Sequence, residues 1–168
     1  MAPEADSGIL VLGIDPGTAV TGFGLVRRRG AMEVRLVECG VIRTSARRPL
    51  VRRIREIFEE VDGLLERWRP QAVSVESVYQ GRNARSALTL GHARGAILLA
   101  ASLRELPVAE YTAPEIKKAV TGTGRATKGQ VAYMVKQQLK LKEEPRPEDA
   151  ADGVAAALAH CLMGSFPR

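Results

Sequence analysis

Four acids stand where an apolar stretch ends or a helix begins. Asp15 closes the run Ile9 to Ile14 in GILVLGIDPGT (8–18), and Pro16 and Gly17 follow it at once. Glu76 closes a shorter run, QAVSVES (71–77). Asp149 and Asp152 lie three residues apart in DAADGVAAALAHCLM (149–163), so they share one face of a helix's first turn. Any one of them taken alone reads as a turn acid or a helix-capping acid. Four together point to a different chemistry. Hard divalent cations take oxygen ligands, and Mg2+ keeps several waters while binding one or two carboxylates plus the oxygens of a phosphate. Three or four carboxylates converging on a phosphate can hold two such ions about 3.5–4 Å apart, one serving the attacking water and one the leaving oxygen. Without cations the same cluster repels itself and raises some of its own pKa values.

The surrounding elements must bring these acids to one place. Ile9, Leu10, Val11, Leu12 and Ile14 read as a strand buried on both faces. TAVTGFGLVRRRG (18–30) alternates loosely and MEVRLVECGVIRT (32–44) alternates better, which predicts a three-stranded meander. Leu50, Ile54, Ile57, Phe58, Val61, Leu64, Leu65 and Trp68 recur at helical spacing, and Pro70 stops that helix. A fourth strand over 71–77, an Ala/Gly-rich helix over 83–103 and a fifth strand over 107–111 follow. Then come a short helix (114–120), the loop TGTGRATK (121–128), a helix over 129–141, the Pro-broken KEEPRPE (142–148) and the final helix over 149–163. This order predicts an α/β protein with a five-stranded mixed sheet flanked by helices. A strand–helix–strand crossover to a parallel neighbour puts Asp15 and Glu76 on one edge of that sheet, the edge that holds ligands in open α/β folds. Asp152 is flanked by Ala and Gly on a helix of Ala, Val and Leu, so its first turn is expected to pack near the sheet.

A chain of 168 residues suits one domain, with residues 1–7 expected to be disordered. Twenty-five Lys and Arg against nineteen Asp and Glu give +6 and a pI near 9.7. Nucleic acid is the default partner of such a domain, and a merely basic surface is the alternative. No continuous apolar run approaches the roughly 18 residues of a membrane helix, and MAPEADSG lacks a basic secretory n-region. The expectation is a cytoplasmic protein with no membrane, in which Cys39 and Cys161 are reduced core thiols. Arg47, Arg48, Arg52, Arg53 and Arg55 read either as a solvated helix face or as a DNA track. TGTGRATK lacks the spacing of a nucleotide-binding P-loop. His160 lies about three turns beyond Asp149, too far to share an ion with it, and reads as a core histidine.

GIDPGT (13–18), VESVY (75–79), NARSALTLGHARG (83–95) and PRPEDAADGVAAALAH (145–160) resemble the RuvC-type Holliday junction resolvases, in family order over about residues 9–163. The resemblance implies a ribonuclease-H-like fold and a homodimer, with His92 near the subunit interface. It implies a metal-dependent crossover junction endodeoxyribonuclease that resolves four-way DNA junctions by paired symmetric nicks in recombination and repair. Two Mg2+ per subunit are implied, with Mn2+ able to substitute, as is a RuvA–RuvB type branch-migration complex. The family's four acids, catalytic and metal-binding, fall on Asp15, Glu76, Asp149 and Asp152. Its DNA-stacking aromatic falls on Tyr79, where many members have Phe, and its two DNA-contacting basic residues fall on Lys117 and Lys128. Two other readings use the same features. One is a junction-binding protein that does not cleave, and the other is a ribonuclease H acting on RNA–DNA hybrids. An actin- or sugar-kinase-type ATPase also ends its first strand in D-x-G-T, but needs two domains and a longer chain.

Overall fold

Period-two alternation in β1 (Ile9–Asp15) sorts the first strand's side chains into two layers. Leu10, Leu12 and Ile14 enter one core, while Val11 enters the other and shares its face with Gly13 and Asp15. The computed structural model describes residues 8–30, 33–77 and 83–164. The expectations for residues 1–7 and Tyr79 fall outside that set. β2 (Val20–Arg29) and β3 (Glu33–Arg43) complete the antiparallel meander. β4 (Ala72–Ser77) and β5 (Val108–Thr112) add in parallel on the other side of β1, giving the order β3-β2-β1-β4-β5. This is the mixed five-stranded sheet expected of a ribonuclease-H-like fold.

Helix α1 (Leu50–Trp68) lays Ile57, Val61, Leu64 and Leu65 on one face of the sheet. Its apolar stripe ends where Arg69 turns left-handed at φ 46° ahead of Pro70, and the Arg69 N–H closes on the Leu65 carbonyl. α2 (Ala84–Leu103) packs beside it through Ala93, Ala96, Ile97, Ala100 and Ala101. By length and composition alone α2 could span a bilayer, but in the fold it buries that alanine-rich stripe in the α1 layer. The opposite face of the sheet carries α3 (Ala113–Thr121), α4 (Lys128–Gln138) and α5 (Glu148–Met163).

α5 is almost wholly buried from Ala150 to Cys161 because alanine lets it lie directly on the sheet. Glycines along the contact, Gly13 and Gly22 among them, make that approach possible. A methyl group at Gly22 would overlap the Asp149 carbonyl, and one at Gly13 would overlap the Gly153 carbonyl and Ala157. The buried Ser74 hydroxyl on β4 donates to the Ala156 carbonyl at 2.8 Å and pins α5 laterally. Both cysteines are unbridged, Cys161 buried and Cys39 half-buried. His160 is buried as expected, with Nδ1 2.8 Å from the Tyr111 hydroxyl on β5, and burial lowers its pKa.

Candidate active site

Register places the first two acids side by side. β1 and β4 pair Leu12 with Val73 and Ile14 with Val75, so the next step of the parallel ladder sets Asp15 beside Glu76. Alternation turns both toward the α5 layer: Asp15 follows Val11 and Gly13, and Glu76 follows Ala72 and Ser74. The first turn of α5 then brings Asp152 over the same edge, held there by the close approach at Gly22.

Asp15, Glu76 and Asp152 line one cleft of about 230 Å3 together with Lys117, Lys128, Ile116 and Val131. The two lysines arrive on capped helices. Thr112 and Glu115 form a capping box at the start of α3, and Thr127 and Gln130 form another at the start of α4. Each box satisfies two otherwise orphaned N–H groups, so Lys128 projects from the ordered first turn of α4 and Lys117 from the turn after the capped start of α3. Asp149 does not line the cleft. It sits one turn before Asp152, and its charge reaches both Asp15 and Asp152.

The cleft is short of positive charge. Burial pushes the Asp15 pKa up to about 7, and Glu76, Asp152 and Asp149 push in the same direction against Lys128. Glu76 is raised by burial and then by Asp152, with Lys128 and Lys117 opposing. Asp152 is also raised, chiefly by burial. Among the described residues, Lys128 makes the only direct ionic contact with these acids: its ammonium lies 3.0 Å from Glu148 and 3.2 Å from Asp152. The Glu148 bond leads in raising the Lys128 pKa.

Such a donor set suits a hard divalent cation: all oxygen, anionic when ionised, partly desolvated and mutually repelling. As placed, no three acidic, imidazole or thiol groups among the described residues close a ligand set around one point.

The loop leaving Asp15 is braced from three elements. The Arg53 guanidinium of α1 donates to the Thr18 carbonyl at 2.6 Å and to the Thr44 hydroxyl at 3.1 Å. The Thr44 hydroxyl donates to the same Thr18 carbonyl, and the Thr44 N–H to Ala19 at 3.0 Å. The Thr21 hydroxyl donates to the Gly17 carbonyl at 2.6 Å.

A sequence profile described as "Crossover junction endodeoxyribonuclease RuvC" matches residues 11–160. The chain belongs to the RuvC family. A RuvC from Moorella thermoacetica is 48% identical over 158 residues, 94% of each chain. One from Brevibacillus brevis is 46% identical over 156 residues, 93% of each. The structure superposes on Thermus thermophilus RuvC in complex with a Holliday junction substrate with a TM-score of 0.87 at 41% identity, covering 92% of this chain and 93% of that one. RuvC-family nucleases are generally dependent on divalent metal. Two features of this RuvC-family chain escaped the sequence reading. Glu148 holds Lys128, and its only signal was an acid beside Asp149. The Arg53–Thr44 brace gave none, because its partners are nine and thirty-five residues apart.

Proposed function

We propose that this protein is a divalent-metal-dependent endonuclease that resolves four-way DNA junctions by paired symmetric nicks. The observation that carries the reading is the meeting of Asp15, Glu76 and Asp152, from three separate elements, in one cleft with Lys117 and Lys128. Family membership over nearly the whole chain supports it.

Asp15, Glu76, Asp149 and Asp152 would hold two Mg2+, with Mn2+ able to substitute. Bound cations would supply Lewis-acid neutralisation of phosphate charge and a lowered pKa for water. The chain's own residues do the rest. Asp15 and Glu76 are held still at strand ends, which fixes the geometry of the charge they present. Lys117 faces Glu76 across the cleft and neutralises a non-bridging phosphate oxygen. Lys128 keeps Asp152 in place until a phosphate competes for its ammonium. Water attacks phosphorus in line and the 3′ oxygen departs opposite, with charge growing on oxygens that the lysines face. Tyr79, in the segment between β4 and α2, stacks on a base at the junction; such stacking is worth roughly 1–3 kcal/mol.

Two symmetric nicks require two copies. Leu88, Leu99 and Leu103 on α2 are 67%, 52% and 65% exposed, and this apolar edge supports a homodimer with His92, also exposed, beside the interface. Residues 1–168 act as one ribonuclease-H-like nuclease domain, cytoplasmic, receiving junctions from a RuvA–RuvB type complex.

The test is a synthetic four-way junction with one labelled arm, compared with duplex and with an RNA–DNA hybrid, each in Mg2+ and in EDTA. Paired nicks on the junction alone, and only with Mg2+, are expected. Binding without nicks, or cutting of the hybrid, would overturn the reading.

A further inference from the structure

Six arginines crowd one corner of the molecule outside the cleft: Arg43 at the end of β3, Arg47 and Arg48 in the following loop, and Arg52, Arg53 and Arg55 at the start of α1. Three have work inside the chain. Arg53 braces the loop after Asp15, Arg48 pairs with Glu56, and Arg55 pairs with Glu59 at 2.6 Å. Arg43, Arg47 and Arg52 are exposed, and their side chains make no hydrogen bond or ion pair with any described residue.

The cluster works against the helix it adjoins. α1 has no acid in its first turn and no side-chain cap, and cations near a helix N-terminus oppose its dipole. Packing gives no reason for these three arginines either.

Their location supplies one. Asp15 pairs with Gly22 on β2, and Arg43 pairs with Val20 on the same strand. Arg43 is therefore two strands across and two residues further toward the sheet end that holds the carboxylates. Strand spacing and rise set that backbone separation on the order of 12 Å, well within one helical turn of duplex DNA, about 34 Å. Arg47 and Arg52 follow Arg43 in the next loop and in the first turn of α1.

We propose that Arg43, Arg47 and Arg52 form a second contact for DNA backbone phosphates, a track that holds a junction arm beside the strand being cut. The inference rests on the nuclease reading above. Guanidinium groups suit this task because they bind phosphate in a bidentate fork without regard to base sequence.

The test measures binding of a fluorescent four-way junction in EDTA across about 50–200 mM salt. Wild type is compared with R43Q/R47Q/R52Q and with R35Q/K140Q/K142Q, which removes equal charge elsewhere. Each phosphate contact contributes roughly 0.9 to the slope of log affinity against log salt. The slope of the track variant is expected to become shallower by about 2–3, that of R47Q alone by about 1, and that of the control by less than 1. A track variant with wild-type slope, or one no different from the control, overturns the proposal; an acidic protein partner for these arginines would give that result. Wild-type cleavage in Mg2+ is run alongside. Cleavage with an unchanged variant slope rejects the track alone, whereas a wild type that neither binds nor cuts junctions overturns the nuclease reading and the track with it.

Discussion

Asp15 is the residue on which position and charge conflict most. Its carboxyl is held up to about 7, first by burial and then by Glu76, Asp152 and Asp149. In the unfolded chain it ionises near 3.8. Below that value it is protonated in both states and carries no penalty. As pH rises toward 7 the unfolded chain releases its proton first, so this residue's contribution to stability declines across that window by a few kcal/mol. Thermal melts of the metal-free protein should show that decline, and Mg2+ should raise the melting temperature more at pH 8 than at pH 5. A metal-induced shift independent of pH would remove the electrostatic account. Asp15→Asn should abolish cleavage, by at least about 100-fold, while changing junction affinity by less than about threefold. The same variant should melt higher than wild type at pH 8 without metal, because the buried charge is gone.

At the scale of elements, the site depends on how closely α5 approaches the sheet and how firmly the loop after β1 is held. Gly22→Ala puts a methyl group into the Asp149 carbonyl. Overpacking of this kind costs about 1–3 kcal/mol, and it lifts the turn that carries both Asp149 and Asp152. Chemical denaturation should show that loss, and cleavage should fall further than stability does. Arg53 acts only through the Pro16–Ala19 loop, so it is a positioning residue. Arg53→Gln should slow cleavage at saturating junction about tenfold, since displacement of a reacting group by a fraction of an ångström has effects of that order. Arg53→Lys should recover part of the rate. Equal effects on affinity and rate would instead make Arg53 a DNA contact.

At the scale of the whole molecule, the two layers divide the work. The α3–α4–α5 layer builds the cleft, and the α1–α2 layer presents the apolar edge and the arginine corner. Replacing Leu99 and Leu103 with Glu places charges in the proposed subunit contact without disturbing a core, because both are exposed in the single chain. Sedimentation should show monomers, and the two nicks should lose their pairing on one junction. A dimer that survives both substitutions would place the interface elsewhere.

Local pattern was enough for most of the elements. The near-continuous apolar run Ile9–Ile14, helical spacing from Leu50 to Trp68 and the punctuation of Pro70 and Pro147 are short-range constraints, and the strands and helices fall within a residue or two of them, except at the end of α4. Spacing alone also put Asp15 and Glu76 at strand ends and Asp149 and Asp152 on one helical turn. What it could not contain was distance across the chain. That Asp152 enters the cleft while Asp149 stays outside its lining depends on Gly22 lying under the Asp149 carbonyl, a contact spanning more than a hundred positions. That Lys128 rather than Lys117 holds an acid depends on where two capping boxes aim α3 and α4. That Arg53 steadies the loop behind Asp15, while Arg43, Arg47 and Arg52 are left to solvent, depends on the docking of α1 against β3. Residue type and period determined which groups could do the chemistry; tertiary packing decided which of them meet, because charge and hydrogen bonding act over ångströms of space and not over positions in a chain.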